Sequence, residues 1–194
     1  MQHRPASSSG AGGRFLFKLL IAGSGGSGKT TLLKRYTTGL FNNATKMTIG
    51  VDFSVTNAKL PNGTMVTLQI WDFGGEDRFR SLLPNFCLGA AGCLMLFDPV
   101  RPDTFFDLKE WITIVQANTK NIPILLLSSK QDLIEEGHPM TIRMEEIEAF
   151  VKTYNIKGYI PVSSKTGTNV IESFQKISEN MIESTARATG KPVP

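Results

Sequence analysis

The stretch Gly23-Ser24-Gly25-Gly26-Ser27-Gly28-Lys29-Thr30 follows an apolar run, residues 15–22, and decides the fold. Its spacing is that of a phosphate-binding loop between a strand and a helix. Glycines let the main chain wrap a phosphate chain and point N–H groups at its oxygens. Lys29 supplies a positive charge for the outer phosphates, and Thr30 supplies a hydroxyl oxygen for Mg²⁺. The stretch predicts a nucleotide-binding protein but does not separate ATP from GTP.

The predicted phosphate-binding residues are Gly23, Ser24, Gly25, Gly26, Ser27, Gly28, Lys29, Thr30 and Thr31.

Strand and helix patterns alternate along the chain, which is typical of an α/β fold with a mainly parallel sheet. A helix is predicted over Lys29–Thr38 and ends at Gly39. Asn62-Gly63 joins two alternating runs, residues 51–56 and 65–71, and predicts a hairpin. That hairpin would make one strand pair antiparallel.

The second half of the chain predicts further buried strands. The apolar runs 93–97 and 122–127 show no alternation, as in strands covered on both faces. Between them a helix begins at Pro102, because apolar residues recur at helical spacing, and another helix is expected over 141–154. The recurring apolar residues are Phe105, Leu108, Ile112 and Val115.

The last predicted elements are a short strand at 158–162 and a long helix. Asn169, with Glu172 three residues later, predicts a capped start for that helix. Its predicted buried stripe is Val170, Phe174, Ile177 and Met181.

Size and composition predict a single domain. Of the 194 residues, 14–184 would form the nucleotide-binding domain, with a disordered Ser- and Gly-rich tail at 1–13 and a flexible tail at 185–194. The net charge of +4 is too small to argue for nucleic acid as a partner. Cys87 and Cys93 lie in apolar surroundings and predict buried thiols, without a disulfide or a metal.

No apolar stretch approaches the roughly 20 residues that a membrane span needs. The first residues show neither a signal-peptide core nor a glycine at position 2 for myristoylation. We therefore expect a cytoplasmic protein that reaches membranes, if at all, through partners.

A second oxygen ligand for Mg²⁺ is predicted where the run 65–71 ends. Asp72 would face the metal, and Gly75 is free to turn its N–H toward a γ-phosphate. Thr48 could add a hydroxyl once a γ-phosphate is bound. The predicted metal ligands are thus Thr30, Asp72 and Thr48.

The residues that select the base are predicted to follow the buried strand that ends at Leu127. Asp132 can accept hydrogen bonds from the N1–H and the amine of guanine, a donor pair that adenine lacks. The stem of Lys130 can lie along the base. The loop Ser163-Ser164-Lys165 can place a main-chain N–H at the guanine oxygen.

With these residues the chain resembles the Ras superfamily of small GTPases, and within it the Rab family. The resemblance covers about residues 15–182, and the motifs follow in family order and spacing. Thr48-Ile49-Gly50-Val51-Asp52-Phe53 resembles switch I and the strand after it. The segment 71–80, Trp-Asp-Phe-Gly-Gly-Glu-Asp-Arg-Phe-Arg, resembles switch II.

The resemblance implies a small-GTPase fold with a six-stranded, mostly parallel sheet, one antiparallel edge pair and helices on both faces. It implies that Phe41 packs against guanine and that protein effectors contact Phe53, Trp71 and Phe86. Hydrolysis would involve Glu76, Lys29, Gly75 and Thr48. A monomer, an exchange factor and a GTPase-activating protein are expected.

Glu76 stands where most relatives carry glutamine. An amide can accept from the attacking water and donate to a phosphoryl oxygen, whereas a carboxylate only accepts and repels the γ-phosphate. Slow intrinsic hydrolysis is therefore predicted, although Glu76 could also act as a general base.

Two further departures concern Ser129 and the C-terminus. Ser129 stands at the usual asparagine of the base loop, and the loss of one hydrogen bond would weaken nucleotide affinity by at most roughly tenfold. Residues 185–194 contain no cysteine for a prenyl anchor, which predicts a soluble protein, membrane contact through a partner, or a trimmed tail.

The sequence motifs are compatible with three functions. The first is a Rab-like switch that hydrolyses GTP slowly, in membrane trafficking for example. The second is a GTP-binding interaction module with little or no hydrolysis, for which Glu76 argues. An ATP-dependent phosphotransferase is disfavoured, because no lid or second-substrate segment is visible and Asp132 suits guanine.

Overall fold

A computed structural model of the chain describes residues 14–42, 47–75 and 80–190. Six strands form one sheet in the order β2-β3-β1-β4-β5-β6. The strands are β1 (Arg14–Ala22), β2 (Val51–Lys59), β3 (Met65–Phe73), β4 (Gly92–Phe97), β5 (Ile124–Ser128) and β6 (Tyr159–Pro161). The helices are α1 (Lys29–Thr38), α2 (Leu83–Cys87), α3 (Pro102–Phe106), α4 (Leu108–Ala117), α5 (Gln131–Glu135), α6 (Met144–Thr153) and α7 (Val170–Thr189).

The predicted hairpin is confirmed as the antiparallel pair of β2 and β3, with Val51 opposite Phe73 and Lys59 opposite Met65. All other strand neighbours are parallel. The carboxyl ends of β1, β4, β5 and β6 therefore lie at one edge of the sheet, together with the end of β3. This is the edge where open α/β sheets bind ligands.

The core lies on both faces of the sheet. Along β1, Leu19 and Ile21 face the layer of α1 and α7, whereas Leu20 and Ala22 face the layer of α4 and α6. β4 alternates in the same way, and all six of its residues are buried. Burial on both faces explains why the strand runs 93–97 and 122–127 are continuously apolar.

The single helix predicted from Pro102 is observed as two helices, α3 and α4, because the helical run is interrupted at Asp107. The short helices α2 and α5 were not predicted from the sequence. The helix predicted over 141–154 spans Met144–Thr153, and the strand predicted over 158–162 spans Tyr159–Pro161.

The capped start predicted for the last helix is wrong. Asn169 is left-handed, with φ 55°, and its side chain does not cap α7. The amide instead donates to the carbonyl of Pro161 at 2.8 Å, which ties the helix start to β6. The predicted stripe is confirmed, since all four of its members are buried.

The tail predicted to begin at residue 185 is helical as far as Thr189. The hydroxyl of Thr185 donates to the Met181 carbonyl, and Arg187 pairs with Glu183 at 3.2 Å, so the last turns of α7 are held by contacts one turn back. The tail predicted at 1–13 lies outside the described residues.

Cys87 and Cys93 are free and buried, as predicted. Across the described ranges, every helix is too short or too polar to cross a lipid bilayer.

Candidate functional site

A cavity of about 510 Å³ opens at the carboxyl edge of the sheet. Its walls come from the segments that follow β1, β3, β5 and β6, together with residues 41–48 where these are described. The lining residues are Gly25, Gly26, Gly28, Lys29, Thr30, Thr31, Phe41, Asn42, Met47, Thr48, Phe73, Gly75, Ser129, Lys130, Asp132, Leu133, Ser164 and Lys165.

Most of the residues predicted for nucleotide binding line this cavity. The predicted residues Gly23, Ser24, Ser27, Asp72 and Ser163 are buried and are not among the lining residues. Asn42, Met47, Phe73 and Leu133 line the cavity without having been predicted. Glu76 lies outside the described residues.

Lys29 is buried at one end of the cavity, which we call the phosphate end. Its Nζ donates to the carbonyl oxygens of Gly23 at 2.6 Å and Ser24 at 2.9 Å. Burial lowers the pKa of Lys29 to about 8, and the nearby Asp72 carboxylate opposes that shift. The phosphate loop thus holds an ammonium against its own main chain, at the place where an anion would be the stronger partner.

Gly28 makes the turn from the phosphate loop into α1. It is the residue before the helix and has φ 88°, a conformation that side chains disfavour. A Cβ there would lie 3.4 Å from Ser129 Cβ, so the phosphate loop and the base loop are in contact at this glycine. The first turn of α1 lines the cavity at this end through Lys29, Thr30 and Thr31.

The three predicted metal ligands come together beside Lys29. Thr30 Oγ1 donates to Asp72 Oδ2 at 2.5 Å and lies 2.7 Å from Thr48 Oγ1. The residues come from α1, β3 and the segment before β2, so the arrangement depends on the whole sheet. It gathers two hydroxyls and one carboxylate at one point.

Asp72 is fully buried, and its Oδ1 has no hydrogen-bond partner in the part of the chain that the structure describes. Burial raises the pKa of Asp72 to about 6, against the hydrogen bond from Thr30 and the charge of Lys29. A buried carboxylate oxygen without a partner is costly unless a cation or a proton satisfies it. The donor set fits Mg²⁺, which takes a few protein oxygens and leaves other positions to water and phosphate.

Within the described ranges no group of three or more His, Cys, Asp or Glu side chains forms a metal cluster. The site at Asp72 differs from such clusters because two of its three oxygens are hydroxyls.

Asp132 lies at the other end of the cavity, which we call the base end. It sits in the first turn of α5 and is buried, with Oδ1 accepting from Ser163 Oγ at 2.5 Å. Lys165 Nζ lies 3.8 Å from Asp132 Oδ2 and 2.7 Å from Glu136 Oε1, which raises the pKa of Lys165. Ser163 thus contacts Asp132, whereas Ser164 and Lys165 line the cavity.

Lys130 is left-handed, with φ 53°, and its Nζ pairs with the buried Asp98 at 2.6 Å. Asp98 was not predicted. It directly follows the buried strand β4, and a carboxylate near the end of a strand is a pattern that could have indicated a site residue. Nothing in the local sequence indicates that Lys130 is its partner.

Ser129 is buried and lines the cavity, and its hydroxyl has no partner among residues 14–42, 47–75 and 80–190. The same holds for the Ser27 hydroxyl. The hydrogen bond that an asparagine would make between the two loops is therefore not replaced by either serine within those ranges.

The four aromatic residues predicted to contact the base or effectors lie in two places. Phe41 lines the cavity at the surface. Phe53, Trp71 and Phe86 form a continuous group, with ring centroids 5.0 Å and 5.2 Å apart. Phe53 is 48% exposed, so the group reaches solvent across the β2–β3 hairpin.

A polar network behind the phosphate loop was missed by the sequence analysis. Asp107 Oδ2 accepts from Ser24 Oγ at 2.8 Å and from Arg80 Nη2 at 3.2 Å. Arg80 also pairs with Glu110 and lies over the Trp111 ring, 5.3 Å from its centroid. The network joins the phosphate loop to the chain that follows residues 76–79.

The sequence of the chain is similar to those of known proteins. The sequence profile of the Ras family matches residues 18–183. Among similar proteins, Ras-related protein Rab-32B of Dictyostelium discoideum is 33% identical over 93% of this chain and 70% of its own length. Ras-related protein RABA1a of Arabidopsis thaliana is 34% identical over 84% and 74%. Ras-related protein Rab-8B of Pongo abelii is 32% identical over 92% and 88%.

Proposed function

The chain belongs to the Ras family and is a Rab-like small GTPase, and from that premise we propose that its cavity binds GTP or GDP with Mg²⁺. The chain would act as a slow GTP hydrolase whose nucleotide state controls partner binding. The observation that carries the proposal is the meeting of Thr30, Thr48 and Asp72 beside the buried Lys29.

Phosphate binding is supported by charge and by main-chain geometry. Lys29 is a buried cation whose ammonium, within the described ranges, donates to two main-chain carbonyl oxygens. A polyphosphate would give it an anionic partner and would also receive the N–H groups of the loop and of α1. Thr30, Thr48 and Asp72 would hold Mg²⁺, which would neutralise phosphate charge when bound.

Guanine selectivity is supported by Asp132. Its carboxylate is held in place by the hydroxyl of Ser163 and by the ammonium of Lys165. A fixed pair of acceptor oxygens can accept from the N1–H and the amine of guanine. Adenine lacks this donor pair, and the carboxylate has no proton to donate to adenine N1. Lys130, held by Asp98, and Phe41 would cover the base.

Switching is supported by the positions of Thr48 and Gly75, which line the phosphate end from the two segments that resemble switch I and switch II. Contacts from these residues to a terminal phosphate would order both segments, and hydrolysis would release them. Effectors would then distinguish the two states at Phe53, Trp71 and Phe86. By the Rab resemblance, an exchange factor, a GTPase-activating protein and a role in membrane trafficking are expected.

The rate of hydrolysis is proposed to be slow, because Glu76 cannot donate to the γ-phosphate. A GTP-binding module with little or no hydrolysis is the second candidate, and the same residue supports it.

The experiment extracts bound nucleotide by denaturing the purified protein and then follows GTP turnover with and without Mg²⁺. We expect GDP or GTP in the extract and turnover that depends on Mg²⁺. The Lys29→Ala variant should lose nucleotide, whereas Lys59→Ala, an exposed lysine on β2, should keep it. Adenine nucleotide in the extract, or undiminished affinity in Lys29→Ala, would contradict the proposal. Bound GTP that stays intact would favour the second candidate.

A further inference from the structure

Arg101 lies against the outer side of the phosphate loop. Its Nη1 donates to the Gly25 carbonyl at 3.2 Å, and a Cβ added at Gly26 would lie 2.7 Å from the same nitrogen. Arg101 belongs to the segment between β4 and α3, far from this loop in sequence. The fold therefore places the Arg101 guanidinium at the phosphate loop, a contact that no sequence motif predicted.

The main chain of Arg101 is held firmly in place. Its N–H donates to the Asp98 carbonyl at 3.0 Å, and its carbonyl accepts from Thr104 Oγ1 at 2.7 Å. The side chain is 44% exposed and pairs with Asp103 at 2.7 Å. Within the described residues these side-chain contacts use two of the five N–H groups of the guanidinium, which leaves donors there for an anion.

Only main chain separates the guanidinium from the cavity, since residues 25 and 26 are both glycine and both line it. Of the lysines that line the cavity, Lys130 and Lys165 pair with carboxylates at the base end. Lys29 lies at the phosphate end, on the floor of the loop. Arg101 contacts the same end from outside, behind the rim that the main chain of Gly25 and Gly26 forms.

We propose that Arg101 is an in-chain cation for the terminal phosphate of GTP, an inference that rests on the proposed function. In the reaction a water oxygen bonds to the γ-phosphorus, and the bond from that phosphorus to the β–γ bridging oxygen breaks. The electron pair of that bond stays on GDP, and the proton of the water passes to phosphate or solvent. A guanidinium at this position would stabilise the charge on the equatorial oxygens and on the leaving oxygen.

We expect this contact with GTP and not with GDP, because GDP lacks the γ-phosphate that the guanidinium would meet. The inference therefore concerns the ratio of the two affinities as well as the rate. A role as a mere clamp on the loop would change both affinities equally.

The experiment compares Arg101→Ala and Arg101→Gln with the wild type. Glutamine can still donate to the Gly25 carbonyl but carries no charge, so it separates the cation from the clamp. Arg143→Ala is the matched control, since Arg143 is an exposed arginine paired with Glu146 away from the cavity. Affinities for GDP and for a β,γ-imido analogue of GTP are measured with Mg²⁺, together with single-turnover GTP hydrolysis.

Both Arg101 variants should weaken binding of the analogue by about tenfold relative to GDP, and should slow hydrolysis by about 10- to 1000-fold. Arg143→Ala should change neither. An unchanged ratio of affinities in Arg101→Gln and Arg101→Ala, with normal GDP binding, would overturn the inference alone. Failure of every protein, wild type included, to bind guanine nucleotide would overturn the proposed function and this inference with it.

Discussion

The main chain of Gly75 packs directly against the main chain of Gly25, so that the segment after β3 touches the phosphate loop. A Cβ added at Gly75 would lie 2.6 Å from Gly25 Cα and closer still to the Gly25 nitrogen. Neither contacting atom belongs to a flexible side chain. The two segments can approach one another this closely only while residue 75 has no side chain.

Gly75→Ala should therefore push the segment after β3 away from the phosphate loop. We expect affinity for a GTP analogue to fall at least about fivefold, the lower end for an overpacked site, with a smaller effect on GDP. Gly158→Ala is the control, because a Cβ there meets only the tip of Leu125 at 3.4 Å within the described residues. Equal affinities for Gly75→Ala and wild type in titration calorimetry would contradict this account.

Asp72→Asn should remove the dependence of GDP release on Mg²⁺. Release from the wild type should accelerate when EDTA is added, because Thr30, Thr48 and Asp72 would hold Mg²⁺, whose charge would stabilise the bound phosphates. The variant should release GDP at one fast rate with or without EDTA. Asp52→Asn changes the carboxylate opposite Asp72 in the hairpin, which is exposed, and should keep the dependence. A full EDTA effect in Asp72→Asn would show that the metal is held elsewhere.

Asp132→Asn should change which base is bound. An amide can donate to the carbonyl that xanthine carries in place of the guanine amine, so xanthine nucleotides should gain affinity. Guanine nucleotides should lose about 100-fold, because two hydrogen bonds to a charged acceptor are lost. Glu135→Gln, an exposed carboxylate on the same helix, serves as the control in competition binding. Unaltered preference for GDP would refute the assignment of Asp132.

Ser129→Ala should leave GDP affinity nearly unchanged, because the hydroxyl makes no hydrogen bond within the described ranges. Ser129→Asn should strengthen binding by up to about tenfold, the value of one hydrogen bond restored between the base loop and the phosphate loop. Dissociation rates of GDP measure both effects. A large loss in Ser129→Ala would mean that the hydroxyl already serves the nucleotide.

Glu76→Gln should raise the rate of GTP hydrolysis in single turnover, because an amide can donate to the phosphoryl oxygen that a carboxylate repels. Glu145→Gln, on the exposed face of α6, should leave the rate unchanged. This prediction comes from the sequence, since Glu76 lies outside the described residues. A slower rate in Glu76→Gln would favour the general-base role.

Part of the site was predictable because its residues lie at or soon after the carboxyl ends of strands. Lys29 and Thr30 begin the helix after β1, Asp72 is the last residue but one of β3, and Asp132 lies in the short helix after β5. Parallel strands bring their carboxyl ends together. The hairpin was predictable from Asn62-Gly63, which is a local signal. The phosphate loop and the Asp72 motif predicted one metal site, and Thr48 was added to it because of those neighbouring motifs. The strand order was not predicted.

The remaining contacts depend on packing between distant segments. Nothing local indicates that Asp98 meets Lys130 or that Asp107 meets Ser24, since each pairing depends on how the segments after β4 lie across the sheet edge. Asn169 carries a capping pattern, but the nearby carbonyl of Pro161 takes its amide instead. The helix α5 has five residues, too few for a periodic pattern.

The two tryptophans of the chain differ in a useful way. Trp111 is fully buried, whereas Trp71 is partly buried between Phe53 and Phe86 and has the Lys18 ammonium 4.7 Å from its ring. A rearrangement of that aromatic group would alter the emission of Trp71, and Trp111 would respond separately, through the Arg80 guanidinium over its ring. The molecule therefore contains its own optical reporters, and exchange of nucleotide could be followed without attaching a dye.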